Sequence, residues 1–525
     1  MLERFLRRDQ RMRTKSVWCV GLGLLLWVGV TAGAEPAGKV VEEDWDAAYL
    51  EGAHVGFFHT TVRQLEKDGK KSFQTTLEMD LTLKRYKDVV RLRMENGSEE
   101  TEDGKVTGVF MRQFRANEKS LELNGSVEDD QLHVQIDDCA TGKRVVDKKI
   151  KWNDEVVGLY RQMKLFQQKK VKPGDTFTYQ SYEPTLNTVL TVRTTVKEEE
   201  EVEWVGGKKK RLLRVEAASD KIELPGTTIT LPVMVLWLDK DRLSVREQLE
   251  MEGLGKVVLQ RTTKEIARAP VDTSVKIPDL GLTALVPLNK AIARPHDTTK
   301  VVYRITLKGD DKPTTAFAED NRQEIKNGKG NSFDLHVHAI REPEKLDEEA
   351  KAGEEFLESS YFLDSADAKV KELARKAVGE QKDPWKKAKL IEKWVCANMQ
   401  NSASAEFGTA GQIARNLEGD CRQHAMLTAA MCRSAGVPSR TALGLVYVND
   451  RQKGAVMGFH MWTEVWIKGQ WLGIDATLGQ GCIGAGHVKI SDHSWHDTHD
   501  LKPLLPVTRV LGKVSMEVLS VEGPK

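Results

Sequence analysis

The sequence predicts an α+β protein, with a long antiparallel β region preceding a smaller region in which helices pack on a second antiparallel sheet. Three observations carry this reading. Apolar and polar residues alternate with period two in runs between about Trp45 and Arg268; the period becomes helical after Glu348; and strand patterning returns after Pro438. The chain has 525 residues, too many for one compact core at roughly 150 residues per domain. Lys+Arg (79) and Asp+Glu (78) nearly cancel, which argues against a nucleic-acid partner, since that needs a concentrated positive field.

Residues 1–34 stand apart. Arg4, Arg7, Arg8, Arg11, Arg13 and Lys15 precede the apolar run Val17–Val30, and Thr31-Ala-Gly-Ala34 follows. This basic, apolar, small-residue order is that of a secretory signal cleaved near Ala34, placing the mature chain in the periplasm or outside the cell. The alternative is an N-terminal membrane anchor, for which the run is short. Cleavage leaves Cys139, Cys396, Cys421, Cys432 and Cys482. An odd, irregularly spaced set excludes a disulfide scaffold, and no CxxC pair points to zinc. One disulfide among Cys396, Cys432 and Cys482 stays open, and at least one thiol remains free unless it pairs with another molecule.

Residues 36–268 form the β region. Phe73–Leu83 alternates clearly, Val189–Val196 and Arg214–Ala217 more loosely. Asn96-Gly97, Asp103-Gly104 and Gly206-Gly207 predict turns, and one helix is predicted from Asn153 or Asp154 to about Lys170, before Pro173-Gly174. No nucleophile or metal-ligand group assembles here, so the expectation is a binding or scaffold sheet that could associate with the cell envelope. Pro270, Pro278, Pro287 and Pro295 mark residues 269–297 as a linker. Residues 298–345 read as a small β segment, with strands at Val301–Leu307 and Phe333–Ala339 around a polar loop, Asn327–Asn331. From residue 346 onward, helices are predicted over Ala366–Val378 and Pro384–Met399.

The chemistry concentrates after these helices. Gly419-Asp420 is a turn and cap signal, and a helix follows from about Cys421 to Ser434, stopped by Gly436 and Pro438. A cysteine at a helix N-terminus meets unpaired backbone N–H groups that favour a thiolate and are candidate oxyanion donors. Thr441–Val448, Gly458–Ile467 and Gln470–Asp475 read as strands, the last two joined by the tight turn Lys468-Gly469. His460 and Asp475 are then expected nearly level in one hairpin, the carboxylate orienting the imidazole. Cys421, His460 and Asp475 thus supply a nucleophile, a proton shuttle and a group fixing the shuttle's tautomer. Alone, each has a plainer explanation: an inert core thiol, a hydrogen-bonded histidine, a turn cap.

Glu418-Gly-Asp-Cys-Arg-Gln-His424, Arg433-Ser-Ala-Gly-Val-Pro-Ser-Arg440, His460-Met-Trp-Thr-Glu-Val-Trp466 and Gly469-Gln-Trp-Leu-Gly-Ile-Asp-Ala-Thr477 occur in order. Over about 383–490 this series resembles the transglutaminase-like superfamily, its exported bacterial branch above all. The resemblance implies a papain-like core within 346–525, with the Cys-bearing helix packed on an antiparallel sheet and the triad Cys421, His460 and Asp475. It further implies an enzyme, a cysteine acyltransferase or peptidase, that forms a thioester from a protein or peptide amide and passes the acyl group to an amine or to water. Such chemistry calls for no cofactor. The rival readings are a non-catalytic envelope scaffold with an idle fold, and a cysteine protease in the narrow sense.

Three more residues are assigned to the cleft or to tuning: His424, one turn along the Cys421 helix, Trp462, and His487 in Ala485-Gly-His-Val-Lys489. A packing role for each competes with this. His493, His496 and His499 form a weak metal candidate, more simply read as a polar loop.

Overall fold

The computed structural model describes residues 38–523 except 68, 86–87, 116, 140, 205–206, 225–226, 275–276, 345–349 and 403–406. The expected signal segment, 1–34, lies outside the described residues. Among them, no helix is long and apolar enough to cross a membrane.

Fourteen antiparallel strands between Lys39 and Thr262 form one sheet. Eight run as a meander from Lys39–Leu50 to Lys143–Lys151, and six more return from Thr176–Glu183 to Gly255–Thr262. That last strand pairs with the first (Ala47 opposite Gln260), so the two meanders meet in the middle of the sheet. The outer strands are linked through residues 152–157: Val156 bridges Gln180, and the Trp152 ring lies 5.9 Å from that of Tyr182.

This linkage explains one departure from expectation. The helix expected from 153 or 154 begins only at Leu159 and runs to Gln168, because the preceding residues serve the sheet edge. Its first amides are captured by buried side chains. Leu159 N donates to Ser98 Oγ (2.8 Å), while Tyr160 N and Arg161 N donate to Glu100 (2.8 and 3.1 Å), a carboxylate where the helix dipole favours one. A second departure is Asn96-Gly97, which is no turn and lies within the strand Asp88–Thr101. A Cβ on Gly97 would sit 2.0 Å from the Phe110 ring, so the glycine makes room for an aromatic neighbour.

The remaining residues build a layered α+β region. A six-stranded sheet carries Gly481–Cys482, Gln470–Asp475, Gly454–Ile467, Ser439–Asp450 and His487–His493 in that order, with Val286–Pro287 pairing onto Gly454–Ile467. Part of the expected linker is thus a strand of this sheet. The stretch 298–345 is likewise not separate: Lys300–Leu307 lies between Ser332–His338 and Val514–Glu522 in a four-stranded sheet. The polar loop shrinks to a turn at Gly330-Asn331, since Gln323–Lys329 is a strand.

Helices Ala368–Val378, Pro384–Asn398, Ala410–Asn416 and Cys421–Ser434 pack on the six-stranded sheet. Asp367, Asp383, Thr409 and Asp420 cap them in turn. Met461, Val465, Leu472 and Ile474 face this layer and meet Ala425, Met426 and Ala429. Each fully buried Met, Val, Leu or Ile among them contributes about 1.5–3 kcal/mol. Residues 460, 462 and 464 alternate onto the opposite face of the strand.

Candidate active site

The Cys421 helix starts where its cap dictates. Asp420 accepts from Arg422 N (2.9 Å), and Gln423 Oε1 accepts from Asp420 N (3.0 Å), completing a capping box. Gly419 (φ +150°) permits it, because a Cβ there would lie 2.5 Å from Gln423 Cβ. Cys421 is thereby the first helical residue, half-buried, with its sulfur beside His460. The cap also corrects the expected oxyanion donors. The Arg422 and Gln423 amides are spent on Asp420, leaving the Cys421 amide as the candidate.

His460 is 6% exposed and Asp475 1%. His460 Nε2 lies 2.8 Å from Asp475 Oδ2, so Nδ1 is the ring nitrogen left for the thiol. The two residues are not level. Thr463 pairs with Ile474, which carries Asp475 opposite Trp462, one diagonal step from His460 on the same face. Asp475 also caps the turn after its strand, and it divides the work. Oδ1 accepts from Thr477 N (2.9 Å) and Leu478 N (3.2 Å); Oδ2 faces two imidazoles, His460 and, at 3.0 Å, His487 Nε2.

His424 is buried and places Nδ1 2.8 Å from the Asp420 carbonyl oxygen, leaving Nε2 as its other polar atom near the site. Trp462, 1% exposed, lies against Gly444 and Gly473; a Cβ on Gly444 would come 2.9 Å from its ring. It is a floor beneath His460 and His487 rather than a cleft wall, and its Nε1 has no partner among the described residues.

Next to His487 on the same face, Lys489 is fully buried and pairs with Glu464 (3.1 Å), Asp492 (3.1 Å) and Asp320. Arg440 pairs with Glu464 (2.7 Å) and Asp492 (2.7 Å). Arg322 donates to the carbonyls of Gly484 (3.1 Å) and His487 (3.4 Å). Most of this charged layer was not expected from sequence. Its one signal is that 487 and 489, like 460, 462 and 464, share a parity.

The charges divide unequally. Burial opposes protonation of His460, but the Asp475 carboxylate and Cys421 outweigh it and raise the imidazole to about 10. Burial raises a carboxyl, yet the two imidazoles hold Asp475 far below the usual range. His487 touches the same oxygen but is pushed down to about 4, by burial first and then by His460 and Arg322. One carboxylate thus serves one cation and one neutral donor. On the Pro384–Asn398 helix, Glu392 accepts from Gly481 N (3.0 Å) and rises to about 7 through burial and the charge of Asp475.

His460, Asp475 and His487 hold three ligand-type atoms within 4.8 Å of one another, and could take a cation only by surrendering these hydrogen bonds. His493, His496 and His499 do not converge. His493 Nδ1 accepts from Trp495 N, His496 faces Glu358 and Asp497, and the His499 ring lies by Tyr361. Among the described residues, no disulfide joins Cys396, Cys432 and Cys482 to one another or to Cys139 or Cys421.

A stretch of 97 residues is 30% identical to an uncharacterized protein of Haemophilus influenzae, covering 18% of this chain and about a quarter (26%) of that relative's length. A candidate cysteine protease from Cytophaga hutchinsonii is 18% identical, covering 43% of this chain and 89% of its own, with a TM-score of 0.28. A β-barrel-like protein of a domain of unknown function from Brucella abortus is 12% identical, covering 42% and 95%, with a TM-score of 0.31. Residues 371–476, which run through the helices, the Cys421 turn and the His460–Asp475 hairpin, match the transglutaminase-like superfamily model, and the chain therefore carries a domain of that superfamily.

Proposed function

We propose that the protein is an exported thiol-dependent enzyme acting on protein or peptide amides through a thioester on Cys421. The observation that carries this is the chain of contacts from a half-buried helix-terminal thiol to His460 and on to a deeply buried Asp475. In the first half-reaction the Cys421 sulfur attacks the amide carbonyl carbon, and the oxygen takes the electron pair facing the Cys421 amide. His460 then gives its proton to the leaving nitrogen as the C–N bond breaks. In the second, a primary amine or water loses a proton to His460, attacks the thioester carbon, and releases the sulfur. Asp475 stabilises the imidazolium throughout. Export rests on the basic, apolar and small-residue order of residues 1–34, and envelope association on the large sheet.

The test pairs wild type with Cys421→Ala, using a thiol-directed electrophile at mildly acidic pH and a fluorescent primary amine with a glutamine-rich protein. Wild type is expected to be labelled at Cys421 and to incorporate the amine or release ammonia, with an acyl adduct on Cys421 by mass spectrometry. Equal behaviour of the two proteins would sink the proposal and favour the scaffold reading.

A further inference from the structure

Two arginines of the fourteen-stranded sheet end on the loop that carries the nucleophile. Arg85, at the end of the strand Lys70–Arg85, pairs with Asp420, and Arg115, at the end of Val106–Arg115, pairs with Glu418. The Arg115–Glu418 pair is open to solvent, where such a pair contributes little. The Arg85–Asp420 pair is more sheltered and touches the cap of the Cys421 helix.

That carboxylate is a problem for the site. A negative charge at the first turn stabilises the helix, but it also offsets the positive helix end that Cys421 relies on. Burial disfavours the ionised form, yet Arg422 and Arg85 hold Asp420 at about 2, so it stays charged at any working pH. Arg422 is local, two residues along, at 2.8 Å. Arg85 arrives from 335 residues away. Arg85 thus brings a second guanidinium to the carboxylate that Arg422 already meets. Among the described residues, His460, with Asp475 behind it, and His424, whose protonation burial disfavours, also lie near the thiol.

Resting on the acyl-transfer reading above, we infer that Arg85 is a positioning residue for Cys421, crossing from the N-terminal sheet to hold and offset the carboxylate that caps the nucleophile's helix. The large sheet is then a working part of the reactive site.

The test is iodoacetamide alkylation of Cys421 in the full-length protein at low ionic strength and neutral pH, followed by peptide mass spectrometry. Arg85→Ala and Arg85→Gln slow alkylation about 3- to 10-fold, and added salt narrows the gap. Arg85→Lys recovers most of the loss, and Arg115→Ala stays within about twofold of wild type. Asp420→Asn keeps a capping side chain but loosens the hold on Arg85, so in that background Arg85→Ala slows alkylation less than it does in wild type. Equal rates for wild type and both Arg85 variants, or undiminished slowing in Asp420→Asn, overturn this inference and leave the acyl-transfer reading standing. A wild-type Cys421 no faster than Cys139 overturns both.

Discussion

His487 Nε2 lies 3.0 Å from Asp475 Oδ2, which makes the orienting carboxylate an oriented group in its own right. With two backbone amides on Oδ1 and two imidazoles facing Oδ2, Asp475 has no rotamer freedom to lose when a substrate binds. His487 is held neutral, so it works as a hydrogen-bond donor and does not compete for the positive charge that His460 carries.

His487→Ala is therefore expected to lower kcat/KM for thioester formation about 10- to 100-fold, with substrate KM little changed. His487→Gln, which can donate to the same oxygen, should recover part of the loss. Single-turnover kinetics with an activated amide donor measure both.

Asp475→Asn removes the charge while keeping the shape. The expected loss in kcat is about 10³- to 10⁴-fold, because the imidazolium formed during turnover loses its partner. Stability should respond with a definite sign. His460 is raised to about 10 in the fold against about 6.5 unfolded, so its stabilising share is complete below about pH 6.5 and disappears as pH climbs towards 10. Asp475 is depressed, so its share is present above about pH 4 and is lost on further acidification. The gap in melting temperature between wild type and Asp475→Asn should be widest near pH 5–6 and narrow towards pH 10 in thermal scans.

Glu392→Gln should stabilise the protein in alkali. Its carboxyl is raised to about 7, so the fold prefers it protonated; stability is full below about pH 4.5 and is lost as pH rises through 7. Above pH 7 the variant should exceed wild type by on the order of 1–3 kcal/mol, and match it near pH 4.5. Urea titrations at the two pH values measure this.

Gly97→Val tests the strand assignment of a sequence that reads as a turn. The new side chain would collide with the Phe110 ring, costing about 1–3 kcal/mol. At a hairpin turn on the surface the cost would instead come from backbone strain and leave Phe110 untouched. A Gly97→Ala/Phe110→Leu pair that regains part of the stability lost in Gly97→Ala alone identifies the packing origin, the rest being set by the Thr75 carbonyl 2.5 Å from the same Cβ position.

The nucleophile helix was legible to the residue, Cys421–Ser434, because its start and stop are both written in local chemistry: Asp420 as cap, Gly436 and Pro438 beyond the end. The Gln470–Asp475 strand was legible for the same reason, with Lys468-Gly469 as its turn. The errors share a different cause. Gly97 looks like a turn residue locally, and only neighbours distant in sequence, Phe110 thirteen positions on and the Thr75 carbonyl, explain it as a packing choice. The buried Lys489 and Arg322 and the half-buried Asp320 look like surface residues one at a time; their shelter is decided by partners up to 169 positions apart. Likewise, nothing near Asp420 in the sequence announces Arg85.

The strand Val514–Glu522 pairs with Lys300–Leu307, so the chain closes this region by bringing back a segment made more than two hundred residues later. Folding order follows from that. Tyr303 and Ile305 cannot complete their core until Met516 and Val518 arrive, and contacts of such long separation form late. On a chain emerging from its N-terminus, Cys421 is made, and exposed, before the sheet neighbouring its own is complete. The thiol therefore passes through a vulnerable interval, before the neighbouring sheet closes, in which it can be oxidised or captured.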